Sequence, residues 1–254
     1  MSASTSTSGG NTERLSTKAH AEQKALRPAL PAEAPVEQQR LESALPAEAP
    51  VEPQRLESAL PAEAPIEQHP LEPFLPAEAR LLMLGSFPPQ QKRWSMQFFY
   101  PNLQNDMWRI FGLIFFADKD HFVDATNRRF RRDAIISFLQ ERGIALFDTA
   151  QAVRRLQANA SDRFLEIVEP TDVPALIRRL PNLRAVAATG QKAAETLCTT
   201  FSCPAPKVGE SVPISLDGQT LQFFRMPSSS RAYPLALEKK AEKYAVLFRE
   251  AGVL

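Results

Sequence analysis

One stretch of the chain carries an amide and several aromatic side chains between a predicted strand and a predicted helix. Gly85-Ser86-Phe87-Pro88-Pro89 follows the apolar residues 81–84, and Phe98-Phe99-Tyr100 precedes a helical pattern that begins at Asn105. In an open α/β sheet, ligands bind in the crevice at the carboxyl ends of the strands. The stretch has flat apolar rings and an amide but no histidine, so it suits a planar heterocycle better than a phosphate or a metal ion.

Four apolar runs predict strands that are buried on both faces, at residues 80–86, 144–149, 184–189 and 221–226. Helical patterns alternate with them, at residues 105–116, 127–142, 171–180, 190–200 and 234–250. Strands that alternate with helices predict a mostly parallel sheet. We therefore expect a three-layer α/β/α domain with a central four-stranded parallel sheet.

The ends of the predicted strands carry the candidate functional residues. Gly85, Ser86 and Phe87 follow the first strand, and Asp148 ends the second. The segment Met226-Pro227-Ser228-Ser229-Ser230-Arg231 follows the fourth strand. Parallel strands end at the same edge of a sheet, so we expect these residues to lie near one another.

The N-terminal part of the chain differs from the rest in composition. ALPAEAPV occurs at residues 29–36 and 44–51, and ALPAEAPI occurs at residues 59–66, so the unit repeats every 15 residues. Residues 1–79 hold 11 of the 22 prolines. Such dense prolines cannot sustain helical or strand hydrogen bonds. We predict a disordered, low-complexity tail over residues 1–73 and one domain over residues 74–254, and expect deletion of residues 1–70 to leave activity intact.

The charge divides in the same way as the composition. Residues 1–79 contain 6 Lys+Arg and 12 Asp+Glu, a net charge of −6, whereas residues 80–254 contain 24 and 17, a net charge of +7. A basic domain permits a polyanionic partner such as a nucleic acid.

Cysteine content and hydropathy indicate the compartment. The two cysteines, Cys198 and Cys203, exclude a disulfide framework and a four-cysteine metal site. No apolar run reaches the roughly 20 residues that a membrane span needs, and the N-terminus lacks the apolar core of a secretory signal. We expect an intracellular protein in a reducing compartment.

Four motifs, taken together, resemble the uracil-DNA glycosylase superfamily, and most of all its hypoxanthine-DNA (deoxyinosine) glycosylase-like branch. That branch has a Gly-Ser-aromatic/Met-Pro turn, then Phe-Tyr-Tyr, four residues and Asn-Arg-Phe-Trp, then Ala-Leu-Trp-Asp, and finally Leu-Pro-Ser-Thr-Ser. Here the counterparts are Gly85-Ser86-Phe87-Pro88, Phe98-Phe99-Tyr100, Asn105-Asp106-Met107-Trp108, Ala145-Leu146-Phe147-Asp148 and Met226-Pro227-Ser228-Ser229-Ser230. They occur in the same order, and the resemblance covers residues 74–250.

The resemblance implies a monofunctional DNA glycosylase that flips a deaminated base, uracil or hypoxanthine, out of DNA and hydrolyses its N-glycosidic bond. It implies a monomer that needs no metal and no cofactor. Asn105 would hold the attacking water, Tyr100 would stack on the base, and Asp148 would read the base edge. The backbone around Gly85, Ser86 and Phe87 would donate to the base, and the segment Pro227-Ser228-Ser229-Ser230-Arg231 would grip the DNA phosphates.

Three positions depart from typical members of the superfamily. Phe87 stands where those members carry the Asp or Asn that activates water. Met226 stands where they carry a His or Asn that stabilises the departing base, and Ser230 replaces the leucine that fills the gap in the DNA, so that Arg231 or Tyr233 would have to fill it. Two alternatives therefore stay open: a nucleic-acid-binding module without catalysis, and a hydrolase of free nucleosides or nucleotides.

Several of these residues also have purely structural interpretations. Asn105 could cap the following helix, Asp148 could cap the segment after its strand, and the aromatic residues could belong to the core. Arg128, Arg129, Arg131 and Arg132 could form a phosphate-contacting helix face or a solvated one. His121 is the only histidine after residue 74, so a Ser-His-Asp hydrolase is disfavoured.

Overall fold

The computed structural model describes residues 64–156 and 164–254, so most of the predicted tail, residues 1–63, lies outside the described residues. The described strands are β1 (Ile66–Gln68), β2 (Leu81–Gly85), β3 (Val123–Asp124), β4 (Arg129–Phe130), β5 (Ile144–Asp148), β6 (Ala150–Arg155), β7 (Leu165–Pro170), β8 (Ala185–Ala188), β9 (Ser211–Leu216) and β10 (Gln219–Arg225). The helices are α1 (Met107–Phe116), α2 (Arg132–Arg142), α3 (Val173–Arg178), α4 (Gln191–Phe201) and α5 (Leu237–Glu250), with a 3₁₀ turn at Gln91–Arg93.

The central sheet has five strands in the order β5-β2-β8-β10-β9. β5, β2, β8 and β10 are parallel, and β9 pairs antiparallel with β10 at the edge. The prediction of a four-stranded, all-parallel sheet was therefore wrong, because it missed β9. Asp217 and Gly218 join β9 to β10 with φ of 50° and 82°, the left-handed pair that a tight hairpin turn requires.

Continuous apolar sequence explains the centre of the sheet. Every residue of β2, β5 and β8 is buried, as expected for parallel strands that are covered on both faces. The right-handed rule for crossovers between parallel strands assigns α1 and α2 to one face and α3 and α4 to the other. α5 packs on α1, with the rings of Phe111 and Phe248 4.9 Å apart. The result is a mixed α/β fold with helices on both sides.

The strand order reverses beside β2. The chain leaves β2 for β5 on one side, then returns past β2 to reach β8 on the other. The carboxyl ends of β2 and β8 therefore flank a topological switch point, where open α/β sheets form a crevice for ligands.

A second, three-stranded antiparallel sheet, β1-β6-β7, was not predicted. Its first strand, β1, begins at Ile66, eight residues before the predicted start of the domain at residue 74. β1 pairs with β6, with Ile66 opposite Arg154. The last copy of the repeat thus contributes to the described fold.

The helix predicted over residues 127–142 is also shorter than expected. β3 and β4 form a small hairpin, and α2 begins only at Arg132. Arg128 has a left-handed φ of 50° and Arg129 lies in β4, so the four predicted arginines do not share a helix face.

No helix in the described ranges is long and apolar enough to cross a membrane.

Candidate functional site

The carboxyl ends of the four parallel strands bring the predicted residues to one edge of the sheet. Asp148 of β5 is in register with Gly85 of β2, and Leu84 is in register with Ala188 of β8. The Met226 N–H donates to the Ala188 carbonyl over 2.8 Å. Because neighbouring strands lie about 4.8 Å apart, Asp148, Gly85, Thr189 and Met226 follow one another across roughly 15 Å.

Asp148 is a buried carboxylate above Gly85. The residue is 6% exposed, and its Oδ2 lies 2.9 Å from Nε2 of His69. Its other oxygen, Oδ1, occupies the space that a side chain at position 85 would need, and Thr189 Oγ1 lies nearby. Gly85 is thus required by the close approach of the Asp148 carboxylate to the β2 backbone.

His69 was missed by the sequence interpretation, which placed it in the tail. The expectation that His121 is the only histidine of the folded part was wrong. The His69 side chain is 1% exposed, and its ring lies 4.6 Å from the Phe147 ring and 5.3 Å from the Phe87 ring. The repeat held a signal: Gln39 and Gln54 occupy the equivalent position in the first two copies, so the third copy has exchanged glutamine for histidine.

Tyr100 lies beside Thr189 at the same edge of the sheet. Its hydroxyl is 2.9 Å from Thr189 Oγ1, which itself donates to the Leu84 carbonyl, so Tyr100 is the donor. Burial raises the pKa of Tyr100, and the charge of Asp148 raises it further; the Thr189 hydroxyl, which can turn to donate to a phenolate, opposes this rise in part. Tyr100 therefore remains a neutral phenol.

The turn after β2 offers backbone donors. Phe87 packs with Ala150, Val153 and Leu165 in an apolar cluster beneath the second sheet, so its side chain serves packing. Within residues 64–156 and 164–254, no protein atom accepts a hydrogen bond from the N–H group of Ser86 or Phe87. These residues are 8% and 9% exposed, and buried N–H groups without a protein partner are available to a ligand.

Asn105 combines a structural contact with a free amide. Its Oδ1 accepts from the N–H of Met107, the first residue of α1, over 2.9 Å; the N-cap position itself is Asp106, whose side chain makes no capping bond. Its backbone forms an isolated bridge with Ser230. The Asn105 Nδ2 group has no partner among the described residues, so the side chain can still donate to a bound water.

The segment Pro227–Arg231 is held from beneath by three residues to which sequence analysis gave no role: Asp106, Lys240 and Tyr244. Asp106 accepts from Arg231 Nε over 3.0 Å and from Lys240 Nζ over 2.9 Å. Lys240 is fully buried and also donates to the Ser230 carbonyl. The Tyr244 hydroxyl donates to the Pro227 carbonyl over 2.9 Å. The detectable signal was a lysine on the otherwise apolar stripe of α5.

An open groove of about 440 Å³ adjoins this segment and is lined by Asp106, Arg109, Lys119, Asp120, Arg231, Leu235, Leu237 and Lys240. Burial lowers the pKa of Arg109, and the like charge of Arg231 lowers it further, while Asp120 and Asp106 oppose the change. The exposed Arg231 side chain and Arg109 thus repel one another, and an anion between them would relieve that repulsion.

Comparison with solved structures relates this fold to a known one. The chain is similar to the solution NMR structure of a "putative Uracil DNA glycosylase" from Methanosarcina acetivorans, at 21% sequence identity and a TM-score of 0.50. The match covers 74% of this chain and 99% of that chain. At this identity the likeness concerns the fold. No model of a protein family and no curated protein matches the chain.

Proposed function

We propose that this protein is a monofunctional DNA glycosylase that flips out and excises a deaminated base, uracil or hypoxanthine, by hydrolysing its N-glycosidic bond. The observation that carries the proposal is the cluster at the strand switch point, where Asp148 Oδ1 and Thr189 Oγ1 lie beside Gly85 and the Tyr100 hydroxyl bonds to Thr189. This cluster offers one carboxylate oxygen, one neutral aromatic ring and unpaired backbone donors to a planar ring.

The proposed chemistry needs little covalent participation by the protein. The flipped base stacks on Tyr100, its ring N–H donates to Asp148, and the Ser86 and Phe87 N–H groups donate to a base carbonyl. When the N-glycosidic bond breaks, its electron pair leaves with the base, and those N–H groups stabilise the developing negative charge. Asn105 positions the water whose oxygen then bonds to the electron-poor sugar carbon, and the proton that this water loses neutralises the departed base.

The surrounding elements would hold the DNA. Ser228 and Ser230 are half-exposed and Arg231 is exposed beside the groove, whereas Ser229 is buried; Lys240 and Asp106 anchor this turn. Residues 80–254 have a net charge of +7, which favours a polyanion. We infer a monomer without metal or cofactor that acts on the DNA of the nucleoid or nucleus.

A second candidate is a DNA-binding module of the same fold without catalysis. The observation that favours it is the apolar character of Phe87 and Met226, both of them buried. Neither side chain can take a proton from water or give one to a departing base. The basic groove would still bind DNA.

The proposal is tested by base release from single- and double-stranded oligonucleotides that carry uracil, hypoxanthine, xanthine or a mismatched thymine. Asn105→Ala should lower the rate by about 100-fold, a loss in the range reported for single groups that position or stabilise a reacting centre. The matched control is Asn102→Ala, because Asn102 makes the same local bond, to the Gln104 N–H over 2.9 Å, in the same loop.

Each outcome separates the two candidates. Release by the wild type that is retained in Asn102→Ala and lost in Asn105→Ala supports the glycosylase. Both variants lose one local hydrogen bond and should lose only about 1 kcal/mol of stability with it, so unfolding cannot account for the loss. DNA binding without release from any substrate would select the non-catalytic module.

A further inference from the structure

One ring nitrogen of His69 contacts Asp148, and the other contacts the backbone of Leu71. Nε2 lies 2.9 Å from Asp148 Oδ2, and Nδ1 lies 2.8 Å from the Leu71 carbonyl oxygen. The Leu71 N–H also faces Nδ1, at 3.2 Å. The shorter contact shows that Nδ1 carries a proton. A carbonyl oxygen can only accept, so an unprotonated Nδ1 at 2.8 Å would place its lone pair against a lone pair of the Leu71 oxygen.

A proton on Nδ1 constrains the opposite side of the ring. The 2.9 Å contact between Nε2 and Oδ2 then contains one proton, which resides either on Nε2 or on Oδ2. In the first state, Asp148 is a carboxylate. In the second, Asp148 is a carboxylic acid whose proton is donated to His69. In both states, Oδ1 carries no proton.

We infer that His69 is a positioning residue that makes Asp148 Oδ1 an obligatory hydrogen-bond acceptor, and that the site thereby selects bases with a ring N–H at the edge presented to it. This inference rests on the proposed function. Deamination converts the unprotonated N1 of adenine and N3 of cytosine into N–H donors in hypoxanthine and uracil. An acceptor at this position attracts the deaminated base and repels the lone pair of its parent.

The surroundings keep His69 in this arrangement. Its side chain is 1% exposed and lies among the rings of Phe87, Phe99 and Phe147, so water does not compete for either nitrogen. Gly85 leaves room for Oδ1 above the backbone of β2. Without the bond to His69, the Asp148 carboxyl group can rotate or take up a proton on Oδ1, and both kinds of base edge then become acceptable.

The test measures base preference by binding, so that it does not depend on catalysis. Single-stranded oligonucleotides carry one 2′-fluorinated nucleotide, which resists hydrolysis, with hypoxanthine, adenine, uracil or cytosine as the base. Fluorescence anisotropy gives the ratio of dissociation constants for adenine over hypoxanthine and for cytosine over uracil. We expect the wild type to favour the deaminated base by at least about tenfold, the size of one well-placed base-edge contact.

Two polar substitutions form a matched pair. His69→Gln places an amide N–H where Nε2 was and keeps the bond to Asp148, so it should retain the preference. His69→Asn reaches only as far as Nδ1 and loses that bond, so its ratios should fall towards 1. His121→Gln, at the half-exposed histidine that stacks on Phe116, should behave as the wild type does.

The outcomes distinguish this inference from the proposed function. Equal ratios for His69→Gln and His69→Asn, or a wild type without preference, would overturn the inference. A clear preference that is lost only in His69→Asn would support it, even if no base were released, and in that case the proposed glycosylase activity alone would fail.

Discussion

Tyr100 combines backbone strain with a hydrogen bond that keeps its ring in place. Its φ of 48° lies in the left-handed region, which costs a residue other than glycine about 1–3 kcal/mol. The bond to Thr189 and the edge-to-face contact with Trp108, at 6.0 Å between ring centroids, maintain that conformation. Strain that the surroundings maintain at a crevice is typical of a side chain that must be held ready for a ligand.

Two substitutions of Tyr100 separate ring stacking from hydrogen bonding. Tyr100→Phe keeps the ring and loses one hydrogen bond, so it should lower stability by about 1 kcal/mol and change base release only a few-fold. Tyr100→Ala removes the stacking surface, worth about 1–3 kcal/mol per base, so binding of the flipped base should weaken roughly 10- to 100-fold. Single-turnover release and urea unfolding measure both effects. Equal release by the two variants would contradict a stacking role.

At the scale of elements, α5 supports the segment that is proposed to grip DNA. Lys240 is fully buried, and its ammonium group joins Asp106, before the first turn of α1, to the carbonyl of Ser230. Removing Lys240 leaves the Asp106 carboxylate with Arg231 alone, whose side chain is exposed, so losing one partner of the buried pair is more costly than losing both. This contact therefore couples the position of Asn105 to that of the Ser228–Ser230 turn.

Loss of this ion pair should destabilise the domain. Lys240→Met should lower the free energy of unfolding by about 3–5 kcal/mol, and the double variant with Asp106→Asn should lose less than the sum of the single losses. Urea unfolding measures these values. The control is Lys239→Met on the same helix, because its ion pair with Glu242 is exposed and worth at most about 1 kcal/mol. A loss at Lys240 no larger than the loss at Lys239 would show that the buried pair is not structural.

The predictability of each element depended on its hydrophobic pattern. β2, β5, β8 and β10 follow apolar runs, which is why residues 80–86, 144–149, 184–189 and 221–226 were predicted as strands. β9 mixes buried, half-buried and exposed residues and contains Pro213, which an edge strand tolerates and a central one does not. The helical pattern of residues 127–142 extended too far, because Phe130 continues the apolar period although Arg131 has a ψ of 77°.

The candidate site was predictable where sheet topology determined it. Asp148 and Gly85 meet because parallel strands end at one edge, and that rule needs no side-chain detail. The roles of His69 and Lys240 depend on distant contacts. His69 contacts a residue 79 positions away in the sequence, and Lys240 contacts one 134 positions away, so no local sequence pattern predicts either contact. The bond from Met107 to Asn105 and the proposed catalytic role of Asn105 use different atoms of one amide, so neither interpretation excludes the other.

At the scale of the whole molecule, the repeat region does not end where the domain begins. The third copy differs from the first two at Ile66, His69, Pro70 and Pro73, and the strand and the buried histidine lie within those positions. We interpret the first two copies as a spacer and the third as part of the domain. A deletion through residue 70, which the repeat alone suggested to be harmless, would remove β1 and His69.

Two truncations, one that keeps β1 and one that removes it, test that boundary. Removal of residues 1–63 spares every described residue, so base release and the urea midpoint should match those of the full chain. Removal of residues 1–73 deletes β1, leaves β6 with an unpaired edge and takes away the His69 partner of Asp148, so release should fall at least tenfold. Full chain carrying His69→Asn is the control that separates the histidine from the strand. If the two truncations are equally active, residues 64–73 are dispensable and the domain begins at residue 74. If both truncations are inactive, the first two repeats are required for activity and are not only a spacer.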